Sequence, residues 1–171
     1  MKQYNNWRDD LLSTMPAYKV LKERIFKKSE LINIERNDEG VLMWFDKYAG
    51  IDWMVKSEDN HIMGIASRIQ WDVDYRTFTI RYERWTGSKT EYDKRKEAIE
   101  NQYIYPTYTL QAYFKDKSNP QMLSCGIVKT SDLYSFIGSF PYLVFENKSD
   151  NIFKYVKWDD MINNYINLHI F

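Results

Sequence analysis

Two consecutive stretches, residues 61–71 and 76–85, alternate their side-chain character with a period of two. In the first, Met63, Ile65, Ile69 and Trp71 fall on one face with Ser67, and Gly64, Ala66, Arg68 and Gln70 fall on the other. In the second, Phe78, Ile80 and Tyr82 alternate with Thr77, Thr79, Arg81 and Glu83. Successive side chains of a strand point to opposite faces, so both stretches read as strands with one apolar and one arginine-bearing face. The apolar face must be buried against another layer, which constrains the fold more than any other part of the chain. With the runs at 41–48 and 50–55 and the short loops between them, they predict an antiparallel meander. If 61–71 and 76–85 pair as a hairpin, the polar faces coincide and Arg68, Gln70, Arg81 and Glu83 form one patch bordered by Asp52.

Helical periodicity brackets the meander. Leu11, Leu12, Met15, Tyr18, Leu21, Ile25 and Phe26 recur at spacings of three and four, predicting helix over 6–35, broken at Pro16 into a short and a longer piece. Asn37-Asp38-Glu39-Gly40 is a turn signal. Thr90 is placed to cap a helix reaching about residue 101, with Glu91 and Asp93 at its positive end. Strands are expected at 107–115 and 122–129, a helix from Thr130, a further strand over 140–145 and a closing helix over 158–168. The expectation is a single α+β domain over 1–171, with N-terminal helices and a central, mainly antiparallel meander sheet flanked by helices.

Composition narrows the functions. The 24 Lys and Arg balance 24 Asp and Glu, which argues against a coater of DNA acting through net charge alone but leaves room for a local basic patch. With Cys125 as the only cysteine no internal disulfide forms, and the opening residues have no apolar signal core. No apolar run approaches the length of a membrane span. The expected location is the cytoplasm, with no membrane partner. His61 and His169 are far apart and outside any ligand pattern, so zinc is not expected.

The order of helix, strand carrying Gly50-Ile51-Asp52-Trp53, strand with a charged residue, helix and strand resembles the core of the PD-(D/E)xK nuclease superfamily, which includes many restriction enzymes and Holliday-junction resolvases. The resemblance spans roughly residues 6–136. It implies a restriction-endonuclease-like fold in which an aspartate at the start of one strand binds Mg²⁺ or Mn²⁺. A (D/E)-x-K element on the next strand then gives a second acidic ligand and a lysine, and the metal activates water against a phosphodiester. Asp52 fits the aspartate, as metal ligand and catalytic residue. Ala66-Ser67-Arg68 stands where the acid-x-lysine element is expected, so Arg68 takes the lysine position and Ala66 cannot bind a metal. Gln70 joins Arg68 toward the scissile phosphate, and Glu23, Glu30, Asp72 or Asp74 are candidates for a migrated carboxylate.

A second patch follows at once. Residues 84–96 interleave Arg84, Trp85, Lys89 and Arg95 with Gly87, Ser88 and Thr90 around a helix start, a place that favours phosphate. Arg81, Arg84, Lys89 and Arg95 are expected to hold a nucleic-acid backbone and Trp85 to stack on a base. The expected function is nucleic-acid binding by a degenerate nuclease-like core, with metal-dependent phosphodiester cleavage as its catalytic form. The alternative is a non-catalytic phage or mobile-element protein that binds and blocks a host protein such as a defence nuclease. The 14 Tyr and 6 Trp suit such an interface.

Overall fold

The computed structural model describes residues 6–34, 40–140, 144–146 and 151–171. The chain opens with α1 (Asn6–Arg24) and β1 (Glu30–Asn33), then a short helix α2 (Gly40–Trp44) that runs into a π-helical turn (Phe45–Ala49). Next come β2 (Trp53–Lys56), β3 (Ile62–Trp71), β4 (Thr77–Arg84) and α3 (Glu91–Glu100). The remainder is β5 (Tyr108–Phe114), β6 (Met122–Lys129), α4 (Thr130–Ser139), β7 (Val144–Glu146), β8 (Asn151–Lys157), α5 (Trp158–Asn163) and β9 (Leu168–Ile170). Among the described residues no helix is long and apolar enough to cross a membrane.

The fold is α+β, as expected, and its main sheet is mostly antiparallel. Six strands lie in the order β1-β2-β3-β5-β6-β9, and a second sheet has the order β4-β8-β7. The expected hairpin of the two alternating strands does not form. β3 pairs in parallel with β5, Arg68 opposite Gln111, while β4 pairs antiparallel with β8. The link between β3 and β4 carries two residues at positive φ, Asp72 (75°) and Arg76 (48°). These left-handed kinks turn the chain out of the first sheet instead of folding it back along its edge.

Each face of the main sheet has its own cover. Trp53, Val55, Ile65, Leu110, Ala112 and Phe114 pack against Ala17 and Leu21 of α1. On the other side Tyr113 and Val128 join Phe78 and Ile80 of β4, Val156 of β8, and residues of α4 and α5. The polar face of β3 is therefore roofed by the second sheet and is not a solvated sheet surface.

Three sequence expectations are corrected. α1 continues through Pro16 instead of breaking there, because buried Ala17 and Leu21 just beyond it hold the helix to the sheet. It ends at Arg24, and the segment expected to prolong it forms β1, paired with β2. The run 41–48 is helical, not a strand. Leu42, Phe45 and Ala49 recur at helical spacing and pack on Ile34 and Ile51, and Gly50, at φ 65°, closes the turn. The turn signal at 37–39 and part of the 140–145 strand lie outside the described residues.

The position of β4 at the edge of its sheet creates a physical problem. Its outward N–H groups abut the face of the main sheet, where no strand can pair with them, and a buried N–H needs an acceptor. Side chains supply it. Thr77 N donates to Tyr113 Oη (3.1 Å), and Thr79 N donates to Gln111 Oε1 (3.3 Å). The Arg81 N–H donates to the Glu91 carboxylate. Tyr113 Oη in turn donates to the Thr77 carbonyl at 2.8 Å. A Tyr113→Phe variant is expected to lose roughly 1–3 kcal/mol in urea unfolding, since it strands buried groups of Thr77 without changing shape. A loss below about 0.5 kcal/mol would show that water replaces the hydroxyl.

Candidate functional site: a polar cavity behind a basic groove

Two cavities meet where β3, β4 and α3 converge. The inner one, about 140 Å³, is lined by Asp52, Ser67, Arg68, Thr79, Glu91, Arg95 and Gln111, among others. The outer one, about 220 Å³, is lined by Asp46, Lys47, Tyr48, Arg81, Arg84, Lys89 and Lys94, again with Glu91 and Arg95. Glu91 and Arg95 are thus the wall common to both.

Glu91 is the hub. Its Oε2 accepts from Arg68 Nη2 at 3.1 Å and its Oε1 from Arg95 Nη1 at 2.7 Å. Burial alone would raise its pKa, but Arg95, Arg68 and Arg81 outweigh that and hold it below the ordinary glutamate value. Arg95 also donates to the Gly50 carbonyl at 3.0 Å. That carbonyl is presented by the left-handed end of the π turn, so the turn anchors one wall of the site. Thr90 caps α3 in a reciprocal box with Asp93, which fixes the first turn that carries Glu91.

Asp52 stands just ahead of β2, and its Oδ2 accepts from the Ser67 N–H at 2.5 Å. Arg68 and Arg81 come from different sheets, yet both guanidinium groups lie over the ring of Phe153, at 5.6 and 5.7 Å from its centroid. Burial, with Arg84 and Arg68 close by, lowers the pKa of Arg81. These contacts show a region of crowded positive charge balanced chiefly by one carboxylate.

The residues singled out from sequence fall into place unevenly. Asp52 and Arg68 share the inner cavity, and Gln70 sits at its margin, its Oε1 3.5 Å from Gln111 Nε2. Arg81, Arg84, Lys89 and Arg95 share the outer groove. Lys89 is engaged by Glu97 at 2.5 Å. Arg95, expected on an open basic face, is buried at 7% exposure and braces Glu91. Trp85 follows Arg84 and is 68% exposed. Glu83, expected beside Arg68, is exposed. None of Glu23, Glu30, Asp72 and Asp74 lines the inner cavity.

In the sequence Glu91 stands out as a helix-start residue and not as part of the site. Its one signal is that Arg95 follows it at the i, i+4 spacing of a helical ion pair. Gln111 and Thr79 carry no local signal, because only the parallel pairing of β3 with β5 and the separate placement of β4 bring them in.

No known family, curated protein or solved structure matches this chain.

A hard divalent cation is held by two or more anionic oxygens free to face it. Here Ala66 contributes none, and both oxygens of Glu91 are occupied by guanidinium donors. With Glu91 committed to guanidinium groups and Asp52 accepting from the Ser67 N–H, the donors of the cavity do not fit Mg²⁺ or Mn²⁺.

Proposed function

We propose that this chain is a nucleic-acid-binding domain with a degenerate nuclease-like core, and that it grips phosphates in the outer groove. The observation that carries the reading is the groove itself. Its lining gathers Lys47, Arg81, Arg84, Lys89, Lys94 and Arg95 with two acids, Asp46 and Glu91, and Glu97 beyond it pairs Lys89, in a chain whose total charge is zero. Tyr48, 68% exposed, lines it, and Trp85, also 68% exposed, follows Arg84 in the chain. Cations that follow a backbone beside rings that can stack on bases are the working parts of single-strand binding. The arginine–glutamate cluster supports binding over cleavage.

Binding is tested by polarisation of labelled single- and double-stranded DNA and RNA across a salt series, with and without Mg²⁺ or Mn²⁺. Each phosphate contact contributes to the salt slope, so Arg84→Ala is expected to weaken binding to all sequences and to reduce the slope by about one. An unchanged slope would remove Arg84 from the interface. Cleavage that needs metal and is lost in Asp52→Ala would replace the binding reading with an enzymatic one.

A protein partner is the second reading. It is favoured by Tyr165, 97% exposed, with exposed Ile162 one turn before it on the same corner. Absence of binding to every nucleic acid would leave that reading standing alone.

A further inference from the structure

The two cavities differ in charge. The groove has an excess of cations, while the inner cavity sets Asp52 and Glu91 against Arg68 and Arg95 and is balanced. A phosphate is drawn to the first and not to the second. The inner cavity instead offers hydrogen-bonding groups that the fold does not use. The Oγ1 of Thr79, a residue only 9% exposed, is buried without a partner, and so is Nε of Arg95, at 7% exposure. Buried polar groups in native proteins are nearly always satisfied, so unpaired donors around one polar cavity point to a ligand that pairs them.

Size narrows the ligand. A cavity of about 150 Å³ takes one benzene ring, and the inner cavity is about 140 Å³. It has room for one six-membered ring and not for the fused rings of a purine. We propose that the inner cavity receives a single pyrimidine base of a single strand, whose neighbouring phosphates lie in the outer groove. This rests on the nucleic-acid reading above. A pyrimidine brings a ring carbonyl to accept from Thr79 and Arg95. It also brings an edge N–H or amino group of the kind a carboxylate such as Asp52 accepts. Glu91 and Arg95 line both cavities, so a base in the inner one would sit next to a phosphate in the outer. A single strand offers such a base without the cost of opening a duplex.

The test uses the full chain and short labelled strands of oligo-dC, oligo-dT, oligo-dA and an abasic backbone of equal length, read by polarisation. The pyrimidine strands are expected to bind about tenfold more tightly than oligo-dA or the abasic strand. Thr79→Val keeps the branched shape and the backbone N–H that Gln111 accepts. It is expected to weaken the pyrimidine strands about fivefold and to leave the abasic strand unchanged. Thr79→Ser, which restores the hydroxyl, is expected to return the affinity. Equal binding of oligo-dA and the pyrimidines, or a Thr79→Val protein that binds pyrimidines like the parent, overturns the base site. In either case salt-dependent binding of the abasic strand leaves the groove reading intact. Failure of every strand to bind overturns both.

Discussion

Replacing Glu91 with alanine is expected to cost the fold about 3–5 kcal/mol, because it leaves buried guanidinium charge without its partner. Arg95 is 92% buried by side chain (8% exposed), and its Nη1 rests on Glu91 at 2.7 Å. The same carboxylate holds Arg68 at 3.1 Å and accepts the Arg81 N–H at the open edge of β4. One truncation therefore disturbs an ion-pair cluster and the seam between the two sheets together. Urea unfolding checks it, and a loss under about 1 kcal/mol would mean that the arginines find water when Glu91 is gone. Glu91→Leu with Arg95→Met is expected to recover part of the loss, since it removes the most deeply buried unpaired charge while Arg68 still lacks its partner.

The same residue gives stability an acid limb. The folded pKa of Glu91 lies below its ordinary value, so the native state prefers the ionised form. Its contribution is complete above the unfolded pKa of about 4.3 and disappears as pH falls through the lower folded value. In Glu91→Gln this acid limb is expected to flatten: the variant is less stable than the parent above that window and converges with it below. A parallel downward shift at every pH would assign the limb to other carboxylates.

The second large effect is expected at Trp158, where alanine should remove about 3–5 kcal/mol. Trp158 is fully buried at the start of α5 and packs on Phe78 and Tyr113, with ring centroids 5.9 and 5.8 Å apart. It lies so close to Gly126 of β6 that a Cβ there would come within 2.6 Å of its ring. It therefore joins both sheets and the last helix at one point. At about 2–4 °C per kcal/mol for a chain of this size, the melting temperature should fall by roughly 6–20 °C. Trp158→Phe should cost much less, because it keeps most of the ring and removes Nε1, a buried donor without a partner. Equal losses in the two variants would show that the indole's shape, and not the apolar volume, is what the seam requires.

The sequence shows the local parts of this design better than the assembled ones. β6 matches its expected limits, and β3, β4 and β5 differ from theirs by a residue or so at the ends. Period-two alternation is a local property, and so is the Thr90–Asp93 cap. The run 41–48 misleads because its aromatic and branched residues resemble a strand, while its helical form comes from packing on Ile34 and Ile51. β8 is not among the expected strands although Ile152, Lys154 and Val156 alternate with Phe153 and Tyr155, and the expected closing helix is only α5, with β9 beyond it. The site was half legible. Asp52, Arg68 and the basic run from Arg81 stood out by residue type, but Glu91 as hub and Gln111 and Thr79 as walls follow from β3 and β4 entering different sheets.

That separation also sets the order in which the chain can assemble. β4 waits for β8, with Thr77 opposite Lys157, nearly half the chain away. α1, β1, β2 and β3 are contiguous and can dock as soon as they are made, but the second sheet closes only after almost the whole chain is present. Distant pairings of this kind slow folding into the millisecond-to-second range. Until they form, the N–H groups of Thr77 and Thr79 face a half-built surface, and synthesis must be nearly complete before the groove has its second wall.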